Sequence, residues 1–556
     1  MDRILKSTAE AETASQAPPA SVHRTRTLAL SCAYKIPVGK WSPIPEMSSK
    51  VAGANATLGL TTPAAVDFPQ VSQAWERRAV SGQLLLAAAG TPALGAPTGE
   101  LPVELGRPGR TGRRAGQPCS AVAGAIAGIT FSAKEIDISG WKGDVLAVAV
   151  SEKDMSKGSD SRFENPNLKN LDDQLAGLLS QISAEEGFRG KPEQSTLVRL
   201  HGFGLKRLSL VGIAPCNPSS VTAAYKAVGE TVAAAAKAAR ASNAAVVLAS
   251  KPSEELALYA ASAIASGIVL GLYEDTRFKS ESKKTFLKSV DIMGLGSGHE
   301  LDEKLSYASN ISSGVIFGRD LVNAPANVLT PVAAASSNPP YFIHLCYKPP
   351  GGIVRTKLAI VGKGLTFDSG GYNIKIGPGS SIELMKFDMS GSAAAFGAAK
   401  VIGHIKPPGV EVHFIVAACE NMLSGTGVRP GDIVTASNGK TIEVNNTDNE
   451  GRLTLADALV YACNQGVEKV IDLATLTDAT RVAYGPDIAG FFSSSDELAK
   501  EIVSASEVAG EKFWRMPLEK SYWGSMKSSV ADMRNAGDRL GEAITAALFL
   551  KQVWNI

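Results

Sequence analysis

Three short stretches in the second half of the chain concentrate the residues that could do chemistry: VGKGLTFDSGGYNIK (Val361 to Lys375), ELMKFDMSGS (Glu383 to Ser392) and NNTDNEGRL (Asn445 to Leu453). They lie at the ends of apolar runs that read as strands, where open α/β sheets bind their ligands. Asp368, Asp388, Asp448 and Glu450 supply four carboxylates from three loops. Any one alone reads as a helix cap or a surface residue. Converging, they would repel one another unless cations neutralised them. Hard oxygen ligands suit Mg²⁺ or Mn²⁺ and also Zn²⁺, and bridging carboxylates hold paired ions about 3.5–4 Å apart. Lys363, Lys375 and Arg452 add cationic groups that either stabilise an oxyanion or balance the same carboxylates. Gly362, Gly364, Gly370 and Gly371 permit tight turns and close backbone approach.

Other signatures fail. No GxxxxGK[ST] is present, and His299-Glu300 lacks a second His at the zincin spacing. None of the six His falls inside the three loops, which argues against a His-ligated zinc centre or a Ser/His triad there.

The elements that must position these loops alternate between β-branched runs and helical stretches, the mark of layered α/β domains. In the first domain the pattern predicts strands at Asp144 to Val150, Leu208 to Ile213 and Ala244 to Leu248. Helices are expected at Asn170 to Ile182, Thr222 to Ser242 and Glu254 to Leu272. A helical connector, Ile311 to Leu321, runs into Asn323-Ala-Pro-Ala-Asn-Val-Leu-Thr-Pro331, whose prolines stop it. Strands Leu358 to Val361, Val410 to Ala417 and Val470 to Ala474, with helices near Ala393 to Val401 and Leu455 to Asn464, predict a second α/β domain. Within it Asp432 to Val444 reads as a hairpin with a type I′ turn at Asn438-Gly439.

Composition bounds the rest. The 556 residues carry 56 Lys and Arg against 54 Asp and Glu, a balance that gives no support to nucleic-acid or polyacidic partners. Six widely spaced Cys form no CxxC pair and no secreted framework. The longest apolar runs are about half the ~20 residues of a helical span, so no membrane segment is expected. From Thr13 to Pro45 acidic residues are absent while Ser, Thr, Ala, Arg24, Arg26, Lys35 and Lys40 abound, as in an organelle transit peptide. Between Gln73 and Thr130 a Gly-rich, Asp-free stretch reads as an insert unable to fold alone, and its Arg cluster at Arg107 to Arg114 lacks the aromatics of a nucleic-acid site.

The three loops, in this order and spacing, resemble the leucine aminopeptidase family, its plant members in particular, over about Ala56 to Ser72 and Phe131 to Gln552. The resemblance implies a smaller N-terminal α/β domain and a larger C-terminal α/β catalytic domain with a mixed sheet, assembled as a homohexamer. It divides the chain into a transit or disordered segment (1–55), an N-terminal domain (56–72 and 131–310), the insert (73–130), a connector (311–331) and a catalytic domain (332–556). It implies removal of N-terminal residues, preferably leucine, from peptides. Lys363, Asp368, Asp388, Asp448 and Glu450 would be the metal ligands, with Asp368 and Glu450 bridging two divalent ions (Mn²⁺, Zn²⁺ or Mg²⁺). Lys375 and Arg452 would be catalytic, Arg452 holding bicarbonate as the general base. Met385, Thr475, Leu476 and Asp478 would meet the substrate. The setting would be the chloroplast, or otherwise the cytoplasm.

The chain departs from the family pattern at several points. Asn449 stands where Ala is usual, a change expected to be innocuous, and Ser390 replaces a Gly. Asp478, Asp538 and Glu542 fall at family glycines, with expected costs in φ and desolvation, and Asp478 is expected to crowd the substrate and repel an anionic base. The insert interrupts a junction that relatives run through, a helix and strand are omitted after Pro331, and the chain stops at Ile556 before a final strand and helix. Missing strands would leave unpaired sheet edges, at about 1–3 kcal/mol per unsatisfied buried group. These departures motivate an alternative, a catalytically impaired relative that binds partners or unfolded chains. A two-metal phosphatase shares the metal logic without the resemblance.

Overall fold

The computed structural model describes residues 26–31, 80–83, 128–136, 140–200, 204–215, 220–279, 286–331, 340–377 and 380–554. The remainder of the expected transit segment and of the insert, with its Arg cluster, lies outside these residues, as does 332–339.

Two N-proximal strands, β1 (Arg26–Ser31) and β2 (Val80–Gln83), precede the first domain. That domain comprises β3 (Thr130–Lys134), β4 (Gly143–Val150), α1 (Pro166–Gln174), α2 (Leu178–Glu185), β5 (Val198–Arg199), β6 (Leu205–Gly212), α3 (Val221–Ala239), β7 (Asn243–Leu248), α4 (Glu254–Leu272) and β8 (Ser289–Met293). Its strands order as β3-β8-β7-β4-β6-β5, parallel except for β5. The central strand β4 is buried along almost its whole length, which is why it reads as one apolar run instead of an alternation. Val145, Ala147 and Ala149 face α3 and α4, while Leu146, Val148 and Val150 face α1 and α2. The single helix expected over Asn170 to Ile182 is two, because Ala176 (φ 55) and Gly177 (φ 81) turn left-handed between them.

The connector α5 (His299–Asn323) is more than twice the expected length and packs along the second domain's helix α6 (Ser390–Ile405). Around these lie β9 (Tyr341–Tyr347), β10 (Thr356–Asp368), β11 (Val410–Asn421), β12 (Ile433–Thr435), β13 (Thr441–Glu443), α7 (Gly451–Cys463), β14 (Lys469–Ala474), α8 (Asp478–Tyr484), β15 (Ala489–Ser493), α9 (Asp496–Ala509), β16 (Phe513–Arg515), β17 (Met533–Arg534) and α10 (Glu542–Trp554). The main sheet runs β16-β15-β1-β14-β10-β11-β9-β2 and is mixed, so both halves of the molecule are α/β layers. One face packs on α7 and α10, the other on α6.

Two of the eight strands come from segments expected to lack structure of their own. β1 lies between β14, to which it is parallel, and β15, to which it is antiparallel, and β2 lies outside β9. Pairing supplies a backbone partner that their composition alone did not announce. The hairpin β12–β13 also differs from expectation: Ala436 pairs with Lys440 around a three-residue loop in which only Gly439 takes positive φ (86). That is the pattern of a turn followed by a left-handed glycine, not of a two-residue type I′ turn.

Candidate metal centre

The carboxylate loops meet beyond the C-terminal ends of β10, β11 and β14. β10 is long enough to carry Lys363 in mid-strand and Asp368 at its last position. Asp388 closes a 3₁₀ turn (Ile382–Phe387) just before α6, and Glu450 follows another (Thr447–Asn449) just before α7. Two glycines allow this convergence. A Cβ on Gly362 would lie 2.5 Å from Ser392 Cα, so only glycine lets the start of α6 reach the strand; one on Gly451 would lie 2.3 Å from Lys363 Cε. Ser390, the departure in this loop, donates to Phe387 O (2.5 Å) and fits.

Lys363 is 4% exposed. Its Nζ lies 2.7 Å from Asp388 Oδ2 and 3.1 Å from Glu450 Oε1, and it donates to Thr475 O at 3.1 Å. Lys375 Nζ lies 3.0 Å from Asp368 Oδ2 and 2.5 Å from Asp448 Oδ1. Asp368, Asp388 and Glu450 each bring a carboxylate oxygen within 4.8 Å of the others. Burial pushes Asp388 and Glu450 up, Glu450 to about 7, with Lys363 pulling against it and the neighbouring carboxylates adding to it. Burial also lifts Asp448 above the usual carboxylate range, against Lys375. For both lysines burial acts downward, but the carboxylates outweigh it and hold them above the ordinary ammonium range.

This donor set fits divalent cations. Asp388 Oδ2 and Asp448 Oδ1 are buried and lie at ion-pair distance from Lys363 and Lys375, and among the described residues neither finds a hydrogen-bond partner. An oxygen-rich cluster whose direct ion-pair partners among the described residues are Lys363 and Lys375 is what a hard dication would complete.

Arg452, 1% exposed, sits behind the cluster. It donates through Nη1 to Asn535 O (2.6 Å) and through Nη2 to Asn449 Oδ1 (2.8 Å), while its buried Nε has no partner among the described residues. The expectation for Asn449 therefore needs correcting: its side chain holds the guanidinium, as the usual alanine could not. Burial pushes Arg452 down to about 10, opposed by Glu542 and Glu450. A cavity of about 280 Å³ beside it is lined by Asn446, Asn449, Asp538 and Glu542 among others. None of Asp478, Asp538 and Glu542 takes positive φ, so the φ cost expected at these family glycines does not arise. Asp478 is exposed in the first turn of α8, where a helix N-terminus favours a carboxylate.

Of the expected substrate residues, Thr475 donates to Asp388 Oδ1 (2.8 Å), Met385 is half-buried in the 3₁₀ turn, and Leu476 packs against the core under α7. Three residues that organise the loops were not anticipated. Asn421 Nδ2 donates to Asp368 Oδ1 (2.8 Å), Thr447 O (3.0 Å) and Glu450 Oε2 (3.3 Å). Thr447 Oγ1 donates to Gly370 O (2.7 Å) and accepts from Asn373 N (2.8 Å). Asn535, fully buried, joins the 445–449 loop through Asn445 N and Asn446 O. Asn421 ends β11, so its place at a strand terminus was the signal that could have found it.

The chain matches the catalytic-domain profile of the cytosol aminopeptidase family over residues 298–555 and the N-terminal-domain profile over 133–282. It is 62% identical to leucine aminopeptidase 2, chloroplastic, of Oryza sativa subsp. japonica, over 82% of this chain and 85% of that protein. It is 62% identical to leucine aminopeptidase 1 of Arabidopsis thaliana, over 76% of this chain and 88% of that one. A solved structure of a point mutant of tomato leucine aminopeptidase superposes with a TM-score of 0.71 at 53% identity, covering 76% of this chain and 89% of that one.

Proposed function

The chain belongs to the cytosol aminopeptidase family and is a metal-dependent aminopeptidase, and we propose that it releases leucine-like N-terminal residues from peptides. The observation that carries this reading is the convergence of Asp368, Asp388 and Glu450 around buried Lys363 at the strand ends.

In this reading Lys363, Asp368, Asp388, Asp448 and Glu450 would hold two divalent ions, which would supply Lewis-acid activation of the scissile carbonyl and of water. Lys363 serves as a ligand only as a neutral amine, and nearby dications favour that form by depressing its pKa. Lys375 then turns from neutralising Asp368 and Asp448 to donating a hydrogen bond to the developing oxyanion. No His stands in the three loops, so the proton from the attacking water needs an acceptor that Arg452 can anchor; bicarbonate fits a guanidinium with a free Nε. Asp388 accepts from Thr475 and orients it, and in this reading Met385, Leu476 and Asp478 would meet the first side chain of the peptide.

Among the described residues no helix is long and apolar enough to cross a membrane. We infer a chloroplast setting from the acid-free Thr13 to Pro45 segment and from the similarity to relatives named chloroplastic. A homohexamer is the assembly the family resemblance implies.

The test is hydrolysis of a leucyl anilide by the purified chain at mildly alkaline pH, with Mn²⁺ and then with chelator. Metal-dependent turnover that chelation abolishes is the expected result. Absence of turnover in folded, metal-loaded protein would overturn the reading in favour of an impaired, partner-binding relative.

A further inference from the structure

At the opposite end of the main sheet from the carboxylate loops, the geometry points to a second metal site, a zinc clasp between β9 and β11 formed by Cys346, Glu411 and His413. The three offer a sulfur, a carboxylate oxygen and a ring nitrogen that lie within 4.8 Å of one another. Eight positions along β11 separate His413 from Asn421, roughly 26 Å at ~3.3 Å per strand residue, so the cluster is remote from the first centre.

The sheet register makes the cluster rigid. His413 and Cys346 are direct partners in the antiparallel pair β11–β9, and Glu411 lies two residues before His413 on the same face. Glu411 and His413 are 8% and 6% exposed, and Cys346 is half-buried and free. A thiolate, an imidazole and a carboxylate around one point are ligands that suit zinc, with a fourth position left for water.

The surroundings are arranged as they commonly are around a metal-bound histidine. His413 Nδ1 faces His344 Nε2 at 2.8 Å, and His344 Nδ1 faces the Tyr461 hydroxyl, from α7, at 3.2 Å. Without an ion, every ring nitrogen is satisfied by the tautomers in which Tyr461 donates to His344, His344 Nε2–H donates to His413 Nδ1, and His413 Nε2–H donates to Glu411 Oε1 at 3.0 Å. Reversing the chain, so that His413 Nδ1–H donates to His344 Nε2 and His344 Nδ1–H donates to Tyr461, frees the His413 Nε2 lone pair toward Glu411 and Cys346. The relay thus lets His413 present a ligand while every ring nitrogen stays satisfied. Binding releases one proton from the Cys346 thiol. The competing cation paired with Glu411 is Lys357, at 3.3 Å and 40% exposed, free to swing into solvent.

Cobalt(II) added to chelator-stripped protein is the probe, since a thiolate ligand gives a near-ultraviolet charge-transfer band that oxygen and amine ligands do not. The expected result is a band that Cys346→Ser abolishes and Cys419→Ser, a thiol near the first centre, retains. The same Cys346→Ser exchange should remove one zinc equivalent per chain, while Lys357→Met should tighten zinc binding severalfold. Cys346→Ser is nearly isosteric, and unchanged near-ultraviolet dichroism of the metal-free variant shows that it folds. If that signal is altered, Glu411→Gln, which keeps the thiol and the fold's hydrogen bonds, must lower the zinc count by one equivalent. No band in the parent protein, a band that survives Cys346→Ser, or an unchanged zinc count in both variants would overturn the site. None of these readouts depends on peptide turnover.

Discussion

The buried carboxylates of the N-terminal domain and those of the metal centre are held in opposite ways. In the N-terminal domain, Asp144 receives Ser242 N (2.6 Å) and Oγ (2.8 Å) and pairs with Lys206 (2.5 Å). Burial pushes it up, but Lys206 and Ser242 outweigh burial and hold it down at about 2. Burial also pushes on Asp154 and Asp291, and is outweighed at the first by Ser151, Ser250 and Asn165 and at the second by Ser132, Lys134 and Trp141, so both stay low. At the metal centre of the catalytic domain Asp388, Asp448 and Glu450 are pushed up by burial and by neighbouring carboxylates, and among the described residues two of their oxygens lack a hydrogen bond. The carboxylates of the first group, surrounded by donors, hold the scaffold together; those of the second, crowded together and underpaired, form a site that expects cations.

Breaking the crowded set should have the largest effect. Lys363→Met removes the ammonium between Asp388 and Glu450, so the metal-free protein should lose about 3–5 kcal/mol of stability, as when one partner of a buried pair is deleted. Saturating Mn²⁺ should restore most of it if cations are what the cluster lacks. Thermal unfolding with and without metal decides this, and equal stability of metal-free variant and parent would remove the distinction between the domains.

A smaller effect is expected at Asn449. Exchanging it for alanine frees Nη2 of Arg452 while Asn535 still holds Nη1. The turnover rate on a leucyl anilide should rise on the order of tenfold, ~1.4 kcal/mol of barrier, with little change in KM. A fall in rate would show instead that Asn449 positions Arg452 productively.

The smallest effect belongs to the well-paired set, and its pH dependence has the opposite sign to that of the crowded one. Asp144 is depressed from 3.8 to about 2, so its contribution is present above 3.8 and is lost as pH falls through about 2. Asp144→Asn should cost about 1 kcal/mol at neutral pH, since the Lys206 partner is largely in water. Glu450 is raised from 4.5 to about 7, so in metal-free protein the folded form binds more protons and stability falls as pH rises through that window. Denaturant titrations at several pH values, with metal absent and present, would read both slopes, and metal should flatten only the second.

Much of this arrangement was legible in residue order. Strands β4, β6 and β7 and helix α4 fall where apolar runs and helical spacing put them, because buried parallel strands must be continuously apolar, while β3, β5 and β8 were not anticipated. The ligand loops were legible because carboxylates and glycines at strand ends have few other uses. What escaped depends on contacts made at a distance. Asn421, Thr447 and Asn535 act on residues from other loops, and an isolated Asn or Thr carries no spacing signal. Asn449 reads as harmless in sequence because its partner, three residues on, is recognised only when the start of α7 turns Arg452 back toward it. β1 and β2 were unreadable because their pairing is set by backbone groups of a sheet hundreds of residues away.

The place of β1 also bears on the order in which this protein can fold. Arg26–Ser31 pairs with β14 on one side and β15 on the other, joining the first described residues to strands that lie between Lys469 and Ser493. Closing so long a loop adds little to the free energy, about 0.6 kcal/mol for each doubling of its length, but such a nonlocal contact forms slowly. During synthesis the N-terminal domain can complete itself while β1 waits for strands not yet made, and β14 and β15 in turn emerge with open edges until it docks. The interval between those events is when the catalytic sheet is most exposed to aggregation and most in need of a chaperone.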